Sequence, residues 1–450
     1  MSGQLHLNIN LLTAGAHPAA WRSPRGNPRA LVDPEHLRAV AREAERGLLD
    51  AVFLSDAVLL KGGGSAMPIA GLDPAVAVAV MAAATERIGF IATTTATFQE
   101  PYHIARTFAS LDHVSGGRVG WNVVTTRDPG AAANFGAGQG HQERALPARA
   151  DRYHRAAEAV QVVHALWDSW EDEALVADPA SGRFSDPARI HRIDHRGEHF
   201  SVAGPLQLPR PPQGRLPIVQ AGGSEGGREL AARFADAVFT AQHLLPQAIE
   251  FATDIRRRAV RHGRSPESVK ILPGLNPIVG GTEAEARQRK ADLDALIPVE
   301  DRLRGFAAFL GIDASSLSLD DPFPPELLPQ AGSTYGSEGF TEAVRNLLRS
   351  RPHTVRELLD RGAYHRDLVG SPEQIADSIQ QWFEAGAADG FNLQFAVYPQ
   401  GLTDFVDHVV PLLQRRGLFR TEYAETTLRA RLGLSRPASR YATSEQGALL

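Results

Sequence analysis

Eight times along this chain a short β-prone apolar run recurs, most often followed by a stretch with helical periodicity, and this alternation constrains the fold more than any other feature. The runs fall at 5–10, 51–55, 88–95, 119–125, 217–221, 237–240, 269–279 and 391–395. Between them Asp33-Pro34-Glu35 and Asp73-Pro74 read as helix caps with proline in the first turn, opening helices that reach about 47 and 85. Helices are also expected over 101–114, 148–167 and 225–234. In the third of these five, residues 101–114 follow a strand directly; in the fourth, Ala156, Ala159, Val160, Val163 and Leu166 recur at three- and four-residue spacing and make one buried face. Strand, crossover helix and strand in repetition imply a parallel sheet, and eight repeats close it into an α/β (β/α)8 TIM barrel.

The chain has 450 residues, and the excess over the repeat sits in two places. Residues 171–214, rich in Asp, Pro, Gly and His, read as an excursion beside the barrel. Residues 296–367 separate the seventh and eighth strands and include Asp321-Pro322-Phe323-Pro324-Pro325. Long insertions of this kind serve as lids, binding loops or interfaces. The expectation is therefore one barrel domain over 1–434 with insertions at about 171–214 and 296–367, then a loose polar tail at 435–450.

Composition removes several functions. Lys and Arg number 47 against 52 Asp and Glu, giving a formal charge of −5, and the arginines are scattered, which argues against nucleic acid as a partner. There is no cysteine, so disulfides, thiolate metal sites and cysteine nucleophiles are excluded. The start MSGQLHLNIN lacks a basic region followed by an apolar core, and the longest apolar-rich run, 75–84, is too short for a bilayer. A cytoplasmic protein without membrane contact is expected.

Ligands of such barrels bind at the C-terminal edge of the strands. That rule selects Asp56, the stretch 93–97 with Thr95 and Thr97, Asn122 to Thr126, and Gly222-Gly223-Ser224. In Gln220-Ala221-Gly222-Gly223-Ser224-Glu225-Gly226-Gly227, glycines permit close backbone approach and a following helix N-terminus offers free N–H groups to an anion. The same segment is equally a tight turn capped by Ser224. Its Gly-x-Ser-x-Gly spacing also matches a nucleophile elbow, but no spacing picks out the histidine and carboxylate a hydrolase needs. Alternation puts Trp121 and Asn122 on opposite faces of their strand, so one of them enters the barrel. Arg149 and Tyr153 share a helix face at i,i+4 and together suit a phosphate. Of the 16 histidines, His191, His195 and His199 are four apart, but their neighbours read as strand and turn, and no metal is expected.

These motifs carry a resemblance. The chain resembles the bacterial luciferase-like flavin monooxygenases, in the branch of nitrilotriacetate, EDTA, dibenzothiophene-sulfone and pristinamycin monooxygenases, over nearly its whole length to about residue 434. The matching segments include Leu111-Asp112-His113-Val114-Ser115-Gly116-Gly117-Arg118, Trp121-Asn122-Val123-Val124-Thr125, Asn134-Phe135-Gly136 and Leu166-Trp167-Asp168-Ser169-Trp170. Gly204-Pro205-Leu206, Gln220-Ala221-Gly222 with Ser224, Gly370-Ser371-Pro372-Glu373-Gln374, Asp389-Gly390-Phe391-Asn392 and Arg416-Gly417-Leu418-Phe419-Arg420 follow in order.

The resemblance implies a two-component oxygenase. A separate NAD(P)H:flavin reductase supplies FMNH2, which reacts with O2 to give a C4a-peroxyflavin that oxidises a small organic substrate by C–N or C–S cleavage or hydroxylation. It further implies flavin contacts at Asp56, Thr95 or Thr97 and Asn122, a phosphate end at Tyr153, Gly223 and Ser224, and a homodimer or homotetramer. Arg149 stands where the family usually has histidine; an arginine there either holds the FMN phosphate bidentately or marks altered flavin use. Phe98 replaces a frequent tyrosine. His17 and Trp21 match the loop that borders the family's substrate cavity. Selectivity is expected there, after Gly62-Gly63-Gly64 and in the two insertions, with His17, Arg22, His103 and Arg127 as candidates for an anionic-substrate pocket. A deazaflavin-dependent oxidoreductase of the same superfamily, a non-catalytic flavin-binding barrel and a barrel hydrolase remain the alternatives.

Overall fold

The computed structural model describes residues 4–60, 70–126, 128–136, 146–330, 338–361 and 365–442. Its strands are β1 (His6–Asn10), β2 (Ala51–Leu54), β3 (Gly89–Thr95), β4 (Val119–Val124), β5 (Leu175–Asp178), β6 (Arg183–Ser185), β7 (His195–Arg196), β8 (Ser201–Val202), β9 (Ile218–Ala221), β10 (Ala237–Thr240), β11 (Lys270–Val279), β12 (Arg366–Gly370) and β13 (Gly390–Leu393). Eight of them, β1-β2-β3-β4-β9-β10-β11-β13, pair in that order, all parallel, and β13 returns to β1. This is the expected closed barrel, with strand ends within about two residues of those read from the sequence.

Two apolar layers explain the closure. Outward-facing Leu7, Ile9, Val52, Phe90, Trp121 and Leu393 pack with the surrounding helices in one large core. Inward-facing Ala51, Phe53, Ile91, Val219, Ala237 and Leu272 form a separate cluster with Leu428 and Leu432, which plug the N-terminal end of the barrel. Trp121 takes the outer face, its ring 5.8 Å from Phe108, and Asn122 the inner one.

The ninth strand of the sheet, β12, is an element the sequence reading lacks. It lies parallel on the second half of β11, from Leu275 opposite Arg366 to Val279 opposite Gly370, outside the closed ring. Around it the insertion between β11 and β13 carries helices Val299–Leu310, Glu338–Ser350 and Val355–Asp360 and a small apolar core including Phe306, Leu310, Phe323 and Val344. The excursion at 171–214 consists of two small antiparallel hairpins, β5–β6 and β7–β8. His191, His195 and His199 lie in it as strand and turn. His191 faces Glu171 at 2.7 Å and His195 faces Glu158 at 2.9 Å.

Where composition predicts a loose tail, residues 435–442 are held. Arg210 donates to the Pro437 carbonyl at 2.8 Å, and Tyr441 stacks on His191 with ring centres 3.9 Å apart. A flat aromatic and a backbone acceptor suffice to dock a short polar segment. Residues 443–450 lie outside the described residues.

Several of the matching motifs are buried polar scaffolding. Arg118 donates to the carbonyls of Ala82, Thr85, Ile88 and Ser115, tying two helices to β3. Asp50, fully buried, accepts from Arg420 at 2.7 Å and from the Leu7 amide at 2.7 Å, joining β1, β2 and the chain's C-terminal part. Asp168 at the end of helix Arg149–Trp167 accepts from both Arg210 and Arg215. Buried charges persist only when paired in this way.

Candidate functional site

At the C-terminal mouth the barrel interior turns polar. The Asn122 side-chain amide donates to Thr93 Oγ1 at 2.8 Å, yet its Oδ1 is buried with no partner. Across the lumen Asn8 Oδ1 and both polar atoms of Asn392 are also unpartnered. An orphaned buried amide costs about 1–3 kcal/mol, so these groups call for a polar occupant. The rim beside them is preorganised. Thr126 donates its hydroxyl to Thr95 Oγ1 at 2.8 Å and its amide to Thr97 Oγ1 at 2.9 Å, while the Thr97 amide reaches Thr95 Oγ1 at 3.2 Å.

Asp56 follows β2 on the same rim. Burial, aided by the nearby Asp73 charge, pushes its carboxyl above the usual range. Two contacts close this side of the mouth: Asn134 donates to the Val58 carbonyl at 2.8 Å, and Phe98 stacks on Phe135 at 4.4 Å.

The glycine-rich turn after β9 makes the second half of the site. Ser224 caps helix Glu225–Phe234, its Oγ accepting from the Gly227 amide at 3.2 Å, and the same Oγ meets the Tyr153 hydroxyl at 2.9 Å. Among the described residues no histidine or carboxylate bonds Ser224, so a triad is not assembled around it. Gly226 is required here, since a Cβ would stand 2.5 Å from the Tyr153 ring. Gly223 in turn lies against Gly339 (a Cβ on Gly223 would be 3.1 Å from the Gly339 Cα), which brings the first turn of helix Glu338–Ser350 to the same spot. Two helix N-termini thus converge beside paired hydroxyls, an arrangement suited to an anion. Arg149 opens the helix that carries Tyr153, and Arg152 follows it. The Arg152 guanidinium, which donates to the Pro147 carbonyl at 3.3 Å, is held below its usual pKa by burial and also by the Arg149 charge.

Gly226→Val is expected to displace the Tyr153 ring and weaken binding of a phosphorylated ligand by about tenfold, with little change in far-UV circular dichroism. Isothermal titration checks it, and an unchanged affinity would remove Tyr153 from the site.

The remaining candidates separate. The Ala19 amide donates to His17 Nδ1 at 3.1 Å, so Nε2 carries the proton and donates to Asp294 Oδ1 at 3.2 Å. Asp294, though its burial opposes ionisation, is drawn down to about 2 by His17 and Lys290. Arg22 bonds the Leu296 carbonyl, so the whole loop is fastened to the chain following β11. Trp21 is 45% exposed. His103 lines a shallow hollow on the outer surface with Ala79, Arg106 and Val114. The expected meeting of His17, Arg22 and His103 therefore does not occur, because Arg22 is spent on a backbone carbonyl and His103 sits on the outer face of its helix. Arg127 and Gly62-Gly63-Gly64 lie outside the described residues. A polar cleft of about 650 Å³ adjoins Gly223 between helices Leu245–Arg261 and Glu338–Ser350, but its Arg228, Arg257 and Arg258 are committed to Asp254. Sequence reasoning included Thr126 at the end of its 122–126 stretch but missed Gly339, which stands in no motif.

A parallel eight-stranded barrel with a polar mouth and a two-helix turn suited to an anion places the chain in the TIM-barrel class. The family model for luciferase-like monooxygenases matches residues 12–389. The nitrilotriacetate monooxygenase component A of Aminobacter aminovorans is 43% identical, covering 96% of this chain and 97% of its own. Among solved structures, the EDTA monooxygenase of Chelativorans sp. BNC1 is similar with a TM-score of 0.79 and 36% identity, covering 96% of this chain and 99% of that one. A riboflavin lyase crystallised with modified FMN and riboflavin is similar with a TM-score of 0.83 and 32% identity over 97% of each chain. The chain belongs to the luciferase-like monooxygenase family and is a monooxygenase.

Proposed function

We propose that this chain is the oxygenase of a two-component system that takes FMN in its reduced form, FMNH2, from a separate NAD(P)H:flavin reductase. With O2 it oxidises a small organic substrate in the cytoplasm. The observation that carries the reading is the pairing of an orphaned ring-level amide, Asn122 Oδ1, with the Tyr153–Ser224 anion turn on the same mouth. Asn122, Thr95, Thr97 and Asp56 would meet the polar edge of the isoalloxazine; Tyr153, Ser224, Gly223 and Arg149 would hold the phosphate. When bound, reduced FMN and O2 supply a two-electron oxygen transfer, one oxygen atom entering the substrate and the other leaving as water. The protein's own part is to position, to exclude water and to hold a preorganised polar surface. The test is a single turnover with isotopically labelled O2, protein-bound FMNH2 and a panel of amines, sulfones and chelators. One labelled oxygen atom in a product supports the reading; oxidation that is independent of the protein counts against it.

Self-association is part of the proposal. Helix Pro74–Ala82 is apolar on nearly every face, and Val76 remains 55% exposed with Val114 68% exposed nearby on the next helix. A wholly apolar surface helix marks a covered face. Val76→Arg with Val114→Arg is expected to shift a dimer or tetramer to monomer in light scattering after gel filtration, leaving FMN affinity intact. An unchanged mass would place the interface elsewhere.

A further inference from the structure

The inner wall of the mouth is aromatic on β2 and β10, which flank the β3, β4 and β9 side of the barrel. Phe239 of β10 meets Phe53 of β2 edge-on at 5.5 Å, and the imidazole of His365 stacks on Phe239 at 4.8 Å and 22°. Phe340 closes on the other side of His365 at 4.9 Å. The His365 ring occupies space that only a glycine on β11 leaves open, since a Cβ on Gly274 would stand 2.1 Å from His365 Nδ1. Phe340 directly follows Gly339, so one helix turn joins this wall to the Gly223 anion turn. The wall and the candidate flavin site therefore share one mouth.

His365 is buried and its Nδ1 has no partner; His243 Nε2, near it, is in the same condition. Two neighbouring rings, His365 buried and His243 half-buried, thus each carry a buried nitrogen with unmet hydrogen-bonding capacity. Burial, and for His365 also the neighbouring His243, pushes their pKa values down to about 3 and about 4, with Arg366 and Arg361 acting on His243 as well, so both rings are neutral at pH 7. Arg366, the next residue, is turned away: its guanidinium lies over Trp382 at 4.3 Å and donates to Ser378 at 2.9 Å. Among the described residues no lysine or arginine joins the wall itself.

We propose that Phe53, Phe239, Phe340 and His365 form the substrate face, and that it selects an uncharged, flat molecule bearing a hydrogen-bonding heteroatom, such as a sulfone, amide or imine, over a polyanion. The inference rests on the flavin monooxygenase reading above. Aromatic rings stack on a flat neutral body, and a neutral imidazole supplies one hydrogen bond to its polar atom. A polycarboxylate would lose its hydration there with no cation in return, which is heavily penalised. His365 is thus a specificity-determining residue.

The test uses the full chain saturated with FMN, with dibenzothiophene sulfone as the neutral probe and nitrilotriacetate as the polyanion, each followed by perturbation of the bound flavin spectrum. The sulfone is expected to bind at least about tenfold more tightly than nitrilotriacetate. His365→Phe, which keeps the stack and removes the hydrogen bond, weakens the sulfone by about tenfold, and His365→Gln, which does the reverse, loses part of the affinity. FMN affinity stays unchanged in both and shows that the barrel is intact. Tighter nitrilotriacetate binding, no binding of either probe to the FMN complex, or wild-type sulfone affinity in His365→Phe overturns the proposal. Failure of the wild-type chain to bind FMN at all instead removes the flavin reading beneath it.

Discussion

Tyr153→Phe combined with Ser224→Ala is expected to lower affinity for FMNH2 by about a hundredfold while leaving reduced riboflavin within about twofold of its wild-type affinity. The two hydroxyls are 2.9 Å apart and, without a ligand, satisfy one another, with the Gly227 amide as third member. A phosphate exchanges this neutral contact for charge-assisted bonds, each worth about 1.5–3 kcal/mol, reduced where water reaches the rim. Losing two such bonds at the lower figure gives the stated factor. Riboflavin has no phosphate and so reports only the ring end, around Asn122 and Thr95. Anaerobic fluorescence titration of both ligands separates the cases. An equal loss for FMNH2 and riboflavin would mean that Tyr153 and Ser224 pack the mouth and do not hold a phosphate.

Asp168→Ala is expected to destabilise the chain by about 1.5–3 kcal/mol, because Arg215 loses its carboxylate and the buried Arg210 keeps Asp172 as its remaining one. Asp168 is fully buried and accepts from Arg210 at 3.0 Å and from Arg215 at 2.9 Å; the Arg210 side chain is itself almost wholly enclosed. Asp168→Asn keeps the shape and one acceptor, so it should fall between. As a contrast, removing the exposed pair of Arg287 and Glu283 should change stability by less than about 0.5 kcal/mol. Urea midpoints followed by tryptophan fluorescence measure all three. The effect reaches the site as well, because Asp168 caps the far end of the helix that presents Arg149 and Tyr153. Equal midpoints for Asp168→Ala and wild type would show that the two arginines find other acceptors.

The barrel was legible because its signal is repeated eight times, and the boundaries of 225–234 and 237–240 agree with the structure residue for residue. β12 escaped because Arg366 to Val369 are all half-buried, so its sequence shows neither alternation nor an apolar run. The small core of the insertion was concealed by the prolines at 322, 324 and 325, which break periodicity without preventing Phe323 from burying. Motifs in the stretches 111–118, 166–170 and 416–420 stood out in the sequence, but their arginines and aspartates hold helices and strands together. What stood out was buried charge, and spacing alone does not separate buried scaffolding from chemistry. The meeting of Tyr153 with Ser224 spans 71 residues and is invisible to local pattern; the family resemblance implied it and the geometry supplies it. His365 against Phe239 and Gly274 had no such signal, because three strands and a loop must first be folded to make the contact.

The central claim is that this mouth is built for reduced FMN. The direct measurement is an anaerobic titration of the wild-type chain with FMNH2, FMN and a reduced deazaflavin coenzyme, followed by fluorescence and difference spectra. The account predicts tighter binding of FMNH2 than of FMN, weak binding of the deazaflavin, and loss of FMNH2 affinity in Ser224→Ala. Equal affinity for all three, or a preference for the deazaflavin, would contradict it.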